Sequence, residues 1–285
     1  MIAQNFEYSA PSNLREALQL LGNGEAKPLA GGMSLIPLMK LRLATPEQIV
    51  DLGRIADLNY IRRDNNLIRI GATTTHYEVQ SSSLLRASCP LLAETADHIG
   101  DIQVRNRGTI GGSVAHADPA ADYPASLLAL EARVVLVSVK SERKIPIADF
   151  FVDTFTTALE PGELIREVIV PVEDQSTGTS YQKVLQPASG FAIVGIAARL
   201  RQSAGKITFA RVGVTGLAGK PYRATNVEQA LEGTTGAPAD IQKAAAQVAE
   251  GVEANSDLHA SESYRKHLAR IYTMRALAVA SSRTA

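Results

Sequence analysis

The chain has 285 residues, and its 29 Lys and Arg balance 29 Asp and Glu to a formal net charge of zero. This balance gives no indication of nucleic acid or a membrane surface as a partner. No apolar run approaches the roughly 18–20 residues that cross a bilayer, and the start of the chain lacks the pattern of a signal peptide. We therefore expect a cytoplasmic protein of about two domains, without membrane insertion.

The first part of the chain alternates between strand and helix spacing, which is typical of a small α/β unit. A helix begins after Ser12, a candidate N-cap, and ends at Gly22. A second helix is predicted to begin at Ser34, directly after a strand. The predicted strands cover 6–10, 27–30 and 48–52.

A pair of glycines lies between the second strand and the second helix, within the run Ala30-Gly31-Gly32-Met33-Ser34. Main-chain N–H groups can approach an anion closely there, because no Cβ atom stands in the way. The start of a helix also favours negative charge. Phosphate binding is one interpretation of the pair, and a tight turn is the other.

A second unit of strands and helices follows, and its middle contains a long segment without periodicity. This segment, residues 100–122, holds a second glycine pair, Gly111-Gly112, and we expect a functional loop there. Each pair is followed by a serine, Ser34 or Ser113, so the two loops together are candidates to hold one diphosphate. The predicted strands cover 67–70, 134–139 and 165–170, and the predicted helices cover 84–99 and 125–132.

A domain boundary is predicted in the polar, glycine-containing segment 173–180. Beyond it, three strands precede three helices, which favours a second domain of the α+β class. The run from Thr225 to Glu228 has the pattern of a capping box, and Ser261 is predicted to start a long last helix. The predicted strands cover 181–185, 192–201 and 207–214.

Several kinds of chemistry have no support in the sequence. Neither glycine pair fits the dinucleotide pattern G-x-G-x-x-G, and the patterns G-x-x-x-x-G-K-[ST] and G-x-S-x-G are absent. A single cysteine, Cys89, excludes an internal disulfide, and no cluster has metal-ligand spacing. Asp122 either accepts a hydrogen bond from a ligand or caps the helix at 125–132. Phe191 either packs in the core or lies beside the ring of a ligand.

The glycine loops carry a resemblance to a known family. The stretch from Leu29 to Lys40 resembles the first FAD loop of the FAD-binding medium subunits of molybdenum hydroxylases, the family of xanthine dehydrogenase and carbon monoxide dehydrogenase. The stretch from Gln103 to Ser113, with His116 to Asp122 after it, resembles the second FAD loop. Further similar stretches, such as 261–265 near the C-terminus, extend the resemblance over essentially the whole chain.

This resemblance implies an α+β fold in three parts. Two α/β subdomains, about 1–57 and 58–177, would form an FAD-binding domain and hold FAD between them. A C-terminal domain, 178–285, would contain a three-stranded antiparallel sheet and a helical bundle.

The resemblance also implies which residues bind the cofactor. The two loops would hold the diphosphate through backbone N–H groups and hydroxyls. Asp122 matches an aspartate that binds FAD, Ile165 a backbone contact to the flavin ring, and Lys183 a lysine near the flavin. Phe191 would lie over or beside the ring. The loop residues implied are Ala30, Gly31, Gly32, Met33, Ser34, Leu35, Thr109, Ile110, Gly111, Gly112 and Ser113.

No catalytic or metal-binding residue is expected in this chain. Each [2Fe–2S] cluster needs four ligands, more than its one cysteine can supply. The resemblance implies a small subunit with two such clusters and a large subunit with a molybdenum–pterin cofactor, in a dimer of heterotrimers. Electrons would pass through the clusters to FAD and then to an external acceptor.

The substrate would bind to the large subunit, and carbon monoxide, aldehydes, purines and N-heteroaromatics all occur in the family. Two other functions stay open at this point. One is a self-sufficient flavin oxidase of related fold, and the other is a non-catalytic nucleotide-binding or assembly protein.

Overall fold

A computed structural model describes residues 2–22 and 25–284 of the chain. The N-terminal unit consists of β1 (Glu7–Ser9), α1 (Leu14–Leu21), β2 (Ala26–Leu29), α2 (Leu35–Lys40) and β3 (Gln48–Asp51). Its sheet has the order β1-β3-β2, and both strand pairings are parallel. Helix α1 buries Ala17, Leu18 and Leu21 against this sheet. The predicted alternation of strands and helices is therefore confirmed.

The N-cap of α1 differs from the prediction. Asn13 Oδ1 accepts a hydrogen bond from the Glu16 N–H at 3.0 Å. Ser12 instead donates its own backbone N–H to the Glu16 carboxylate at 3.3 Å. Asn13 stands one residue closer to the helix, at the position from which a side chain reaches the third helical amide.

The second unit is built on a five-stranded antiparallel sheet. Its first elements are β4 (Ile61–Asp64), β5 (Leu67–Gly71), α3 (His76–Ser81), α4 (Ser83–Ser88) and α5 (Pro90–Asp97), preceded by a 3₁₀ turn (Ala56–Leu58). The elements that follow are α6 (Ile102–Arg105), α7 (Ile110–His116), α8 (Tyr123–Ala129), β6 (Arg133–Val137), β7 (Glu142–Pro146), α9 (Ile147–Phe150), β8 (Phe151–Asp153), β9 (Thr156–Thr157) and β10 (Leu164–Pro171). The strand order of the main sheet is β4-β5-β10-β6-β7.

Two features of this unit were not predicted. The segment 100–122 is not a loop throughout, because it contains the short helices α6 and α7. The second glycine pair forms part of the first turn of α7, where glycine hides the helical pattern. The edge strands β4 and β7 were missed because polar and charged residues dominate both, as is usual for strands at the edge of a sheet.

The C-terminal part combines a four-stranded antiparallel sheet with three helices. Its elements are β11 (Thr177–Leu185), β12 (Ala192–Ser203), β13 (Lys206–Thr215), β14 (Tyr222–Arg223), α10 (Thr225–Leu231), α11 (Pro238–Ala245) and α12 (Glu262–Ser282). The sheet has four strands rather than the predicted three, since the two-residue β14 pairs with the end of β13. The helices and the long last helix capped by Ser261 are as predicted.

Strand β11 begins at Thr177, inside the polar segment 173–180, because its first residues are buried under α12: a Cβ on Gly178 would lie 2.0 Å from the Ala280 carbonyl oxygen. One local prediction in this part was wrong, since the predicted capping box is absent. Glu228 accepts instead from the Val212 N–H at 2.9 Å and binds the Arg223 guanidinium.

The C-terminal sheet packs directly on α8 of the second unit. A Cβ on Gly213 of β13 would lie 1.9 Å from the Ala125 carbonyl oxygen. A buried ion pair crosses the same contact, with Arg199 Nε 2.8 Å from Glu173 Oε1. In the described part of the chain, no helix has the length and hydropathy of a membrane span.

We expect Gly213→Ala to lower the free energy of unfolding by about 1–3 kcal/mol, because the new methyl group must displace the backbone of α8. Urea unfolding should show a lower midpoint at an unchanged m-value. Gly53→Ala is the matched control, since the nearest atom to its Cβ is the Asp51 carboxylate at 3.1 Å on the surface. Equal midpoints for the two variants would contradict the proposed packing.

Candidate functional site

A cavity of about 780 Å³ lies where the N-terminal unit, the second unit and one end of the C-terminal sheet meet. This volume is within the usual range of ligand sites, about 300–1,000 Å³. The continuous wall segments are 26–35, 159–165 and 189–191. Parts of α7 and the loop before α8 complete the wall.

The first glycine loop contacts the backbone that leads into the second. A Cβ on Gly31 would lie 1.9 Å from the Arg107 carbonyl oxygen and 2.8 Å from Gly108 Cα. Only glycine permits this approach. Gly32 follows with a φ of +77°, a conformation that favours glycine. The two glycine loops are therefore neighbours in space, as the sequence predicted.

The backbone N–H groups of the first loop are free. Among residues 2–22 and 25–284, the amides of Gly31, Gly32, Met33 and Ser34 have no acceptor within the protein. Helix α2 is only six residues long, and the Ser34 side chain makes no capping bond to it. The loop therefore presents four unpaired donors beside the cavity.

The second loop is different, because most of its amides already have partners. The N–H groups of Ile110 and Gly111 donate to the carbonyl oxygens of Thr74 at 3.0 Å and Ala72 at 2.9 Å. Gly112 donates to Thr109 Oγ1 at 3.1 Å. The Ile110 side chain is fully buried in the core and, unlike its neighbours, is not part of the cavity wall.

The two glycines of this second pair have separate roles. A Cβ on Gly111 would lie 2.5–2.8 Å from the atoms of Ala72, so Gly111 is required for packing. A Cβ on Gly112 would meet only Thr109 Oγ1, at 2.8 Å, and the residue is otherwise open to the cavity. Gly112 therefore allows close approach of a ligand, whereas Gly111 ties α7 to the sheet.

Asp122 is a buried carboxylate in the cavity wall. Its Oδ1 accepts from the Tyr181 hydroxyl at 2.6 Å, and the Lys183 ammonium lies 2.9 Å from Oδ1 and 3.0 Å from Oδ2. Burial raises the pKa of the Asp122 carboxyl, and Lys183 and Tyr181 oppose this shift. Asp122 occupies the N-cap position of α8, as one of the two sequence interpretations has it, but its side chain makes no capping bond there.

Lys183 does not itself line the cavity. Its side chain is 1% exposed and also donates to the His98 carbonyl oxygen at 2.7 Å. It lies behind Asp122 and acts on the cavity through that carboxylate.

Ile165 and Phe191 lie on the cavity wall, Ile165 within β10 and Phe191 directly before β12. Ile165 precedes a register shift in the pairing of β10 with β6, and its side chain is buried. Phe191 follows the turn at Gly190 and is 44% exposed, so it is at the opening of the cavity and not in the core.

His76 is a wall residue that the sequence did not single out. It is the first residue of α3 and is 5% exposed. Its Nδ1 lies 3.2 Å from the Tyr123 hydroxyl. Burial, with a contribution from Arg105, lowers the pKa of His76 to about 4, so the ring is neutral at pH 7. The only signal in the sequence was its place in a polar turn directly after a strand.

Comparison with known proteins identifies the family. Residues 4–173 match the model of the FAD binding domain in molybdopterin dehydrogenase, and residues 179–280 match that of the CO dehydrogenase flavoprotein C-terminal domain. The chain belongs to the FAD-binding medium subunits of the molybdenum hydroxylases. The resemblance found in the glycine loops is thereby confirmed, and FAD is the cofactor of this family of dehydrogenase subunits.

Several relatives of this medium subunit align with it over all or nearly all of their length. The chain is 39% identical to the carbon monoxide dehydrogenase medium chain of Hydrogenophaga pseudoflava, with 100% of both chains covered. It is 36% identical to the glyceraldehyde dehydrogenase medium chain of Sulfolobus acidocaldarius, covering 97% of this chain and 98% of that one. The solved carbon monoxide dehydrogenase from H. pseudoflava that lacks the Mo-pyranopterin moiety superimposes with a TM-score of 0.97 at 40% identity, again over 100% of both chains.

The arrangement in this medium subunit fits a dinucleotide. One side of the cavity presents unpaired amide donors, which suit the oxygens of a diphosphate. The other presents a carboxylate that a buried ammonium group keeps available as an acceptor.

We expect Lys183→Met to destabilise the medium subunit by about 3–5 kcal/mol at pH 7, because Asp122 would be left as a buried charge without a cation. Loss of Lys183 moves the already raised pKa of Asp122 further up. The loss of stability should therefore be small where Asp122 is protonated in both the folded and the unfolded chain, and it should grow as the pH rises through the raised pKa of Asp122 in the folded wild type.

Chemical denaturation at several pH values measures this effect. The double variant Lys183→Met with Asp122→Asn removes both charges and should recover most of the loss. A loss that does not depend on pH, or that the double variant does not relieve, would contradict the role of the ion pair.

Proposed function

We propose that this chain binds one FAD in the cavity and passes electrons from a partner subunit to an external acceptor. The observation that carries the proposal is the contact of two glycine loops, from two different sheets, beside one cavity in a chain that matches the family along its length. When bound, FAD supplies the redox chemistry, and the protein binds and orients it.

The first loop is proposed to hold the diphosphate by its free amides. The N–H groups of Gly31 to Ser34 have no competing acceptor, and the Ser34 and Ser113 hydroxyls have no partner among the described residues either. Ala30 and Leu35 flank these donors on the cavity wall. Met33 contributes its amide, while its side chain is 40% exposed.

The second loop is proposed to contribute shape more than amides. Thr109 and Gly112 bring its backbone to the cavity, while Ile110 and Gly111 hold the helix in place from behind. The N–H groups of Ile110, Gly111, Gly112 and Ser113 all have partners within the protein, so the proposed contribution of this loop is the close approach that Gly112 allows and the hydroxyls of Thr109 and Ser113.

Asp122 is proposed to accept a hydrogen bond from an N–H or O–H of the cofactor. Lys183 orients this carboxylate and stays outside direct contact. The Ile165 backbone, at the β10 irregularity, would meet the edge of the flavin ring, and Phe191 would cover it at the opening of the cavity. We also retain the division of the chain into domains 1–177 and 178–285, with subdomains about 1–57 and 58–177.

The source of the electrons is proposed to be a small subunit with two [2Fe–2S] clusters. Cys89 is buried and is the only cysteine, so the ligands of such clusters must come from elsewhere. A large subunit with the molybdenum–pterin cofactor would hydroxylate the substrate, in a dimer of heterotrimers. A free buried cysteine is compatible with the reducing cytoplasm.

The chain has similar sequence identity to the medium chain of a carbon monoxide dehydrogenase and to that of a glyceraldehyde dehydrogenase. Because enzymes named for such different substrates have similar medium chains, this supports a substrate site in the large subunit. A self-sufficient flavin oxidase is not favoured, because the relatives that align in full are medium chains of larger enzymes.

Purification of the tagged chain from its native cells tests the proposed assembly. We expect two further chains, with iron and molybdenum, and a flavin that substrate reduces only when the small subunit is present. Flavin in a chain that co-purifies with no iron or molybdenum would contradict the assembly.

Gly112→Ala tests the proposed diphosphate site. The methyl group should weaken FAD binding by about tenfold or more, because it occupies the space where the ligand approaches. The same change should alter the stability of the apoprotein by no more than about 1 kcal/mol, since the better helix propensity of Ala offsets the displacement of the Thr109 hydroxyl. Fluorescence titration of FAD and thermal unfolding measure the two effects.

Gly219→Ala is the matched control, because its Cβ would also meet one threonine hydroxyl, Thr154 Oγ1 at 2.7 Å, away from the cavity. It should bind FAD like the wild type. Equal affinities for the Gly112 and Gly219 variants would place the diphosphate elsewhere.

A further inference from the structure

His76 lies directly under the second glycine loop. Its backbone N–H donates to the Gly108 carbonyl oxygen at 2.9 Å. Its ring packs so closely on Gly108 that a Cβ there would lie 2.5 Å from Nε2 and 2.7 Å from Cδ2. The imidazole is therefore fixed from two sides, next to the residues that shape the proposed diphosphate site.

The partner of Nδ1 determines which ring nitrogen carries the proton. The Tyr123 hydroxyl lies 3.2 Å from Nδ1, and it has no other partner among residues 2–22 and 25–284. Burial, and then the nearby Asp122, raise the pKa of Tyr123 well above its usual value. Tyr123 therefore keeps its proton and donates it to Nδ1. In a neutral ring, the remaining proton is then on Nε2.

The Nε2–H group has no acceptor in the described part of the protein. It is also not one of the fully enclosed side-chain atoms without a partner, and it belongs to a residue of the cavity wall that packs on Gly108. A donor in such a nearly buried position is expected to meet an acceptor, because an unpaired one is costly. An oxygen of a ligand in the cavity can supply that acceptor.

The surroundings favour an anionic acceptor. Arg105 is close enough to disfavour a positive charge on the ring, and its guanidinium donates to the Ile99 and Gly100 carbonyl oxygens at 3.0 and 3.2 Å. A neutral N–H donor beside a cation suits an anionic oxygen and avoids repulsion between two positive groups.

We propose that His76 is a further FAD-binding residue, whose Nε2–H donates to an anionic oxygen of the diphosphate, with Tyr123 fixing the tautomer. This inference rests on the proposed FAD site. It assigns the pair of buried residues His76 and Tyr123, which have no other evident role, to the recognition of the cofactor.

Two substitutions of His76 test the roles of Nδ1 and Nε2 separately. His76→Asn places a carbonyl oxygen near the position of Nδ1, so the Tyr123 hydroxyl keeps an acceptor while the donor to the cavity is lost. His76→Gln reaches further and can present an N–H near the position of Nε2. The exposed His267 on α12 provides the control, His267→Asn.

The full-length chain, freed of flavin, is titrated with FAD, ADP and riboflavin, and its thermal midpoint is recorded. We expect His76→Asn to weaken FAD and ADP binding about tenfold to a hundredfold, which is the range of a hydrogen bond to a charged group. Riboflavin, which has no diphosphate, should bind equally. His76→Gln should retain most of the FAD affinity, and His267→Asn all of it.

Unchanged affinity of folded His76→Asn for FAD and ADP would overturn the inference, and so would an equal loss for riboflavin. If His76→Asn fails to fold, the double variant His76→Leu with Tyr123→Phe, which removes both polar groups, decides: a loss of FAD and ADP affinity at unchanged riboflavin affinity supports the role, and unchanged affinity for all three overturns it. Failure of the wild-type chain to bind FAD would be a different result, since it contradicts the proposed function itself.

Discussion

The site depends on one close contact between backbones, that of Gly31 with the carbonyl oxygen of Arg107. The two loops come from sheets of different kinds, one parallel and one antiparallel, and no strand pairing joins those sheets in the described chain. A side chain at Gly31 would hold the loops apart, since its first carbon would overlap the oxygen. One glycine of each pair thus serves protein packing, Gly31 between the units and Gly111 against Ala72. The other, Gly32 or Gly112, shapes the loop or opens it to the ligand.

Electrostatics supply the second constraint. Asp122 and Lys183 are both nearly inaccessible to solvent, and each would be unstable there without the other. The Tyr181 hydroxyl and the His98 carbonyl oxygen complete their hydrogen bonds. Because Lys183 and Tyr181 are both on β11, the acceptor in the cavity is held by the C-terminal sheet although Asp122 belongs to the second unit.

The sequence predicted the class of fold, because strands such as β6 and the core face of α1 have clear apolar patterns. It also showed both glycine loops, because each glycine pair interrupts such a pattern. It did not predict helix α7, since the glycines that adapt it to the site also remove its helical pattern. The sequence also could not predict hydrogen bonds that depend on tertiary structure. Glu228 has the spacing of a capping residue, but its carboxylate binds the Arg223 guanidinium and the Val212 N–H. His76 was missed because its contact with Tyr123 joins positions 47 residues apart.

The two glycine loops differ in how many of their amides are already hydrogen-bonded, and this difference has a consequence for cofactor binding. The second loop is already fixed by its own hydrogen bonds, so little conformational entropy remains for it to lose when the cofactor enters. The first loop keeps its amides unpaired, and the ligand that pairs them joins the small parallel sheet more firmly to the rest of the molecule. Loading with FAD would thus add to the buried cluster that already joins α1 and β3 to β6 and β10.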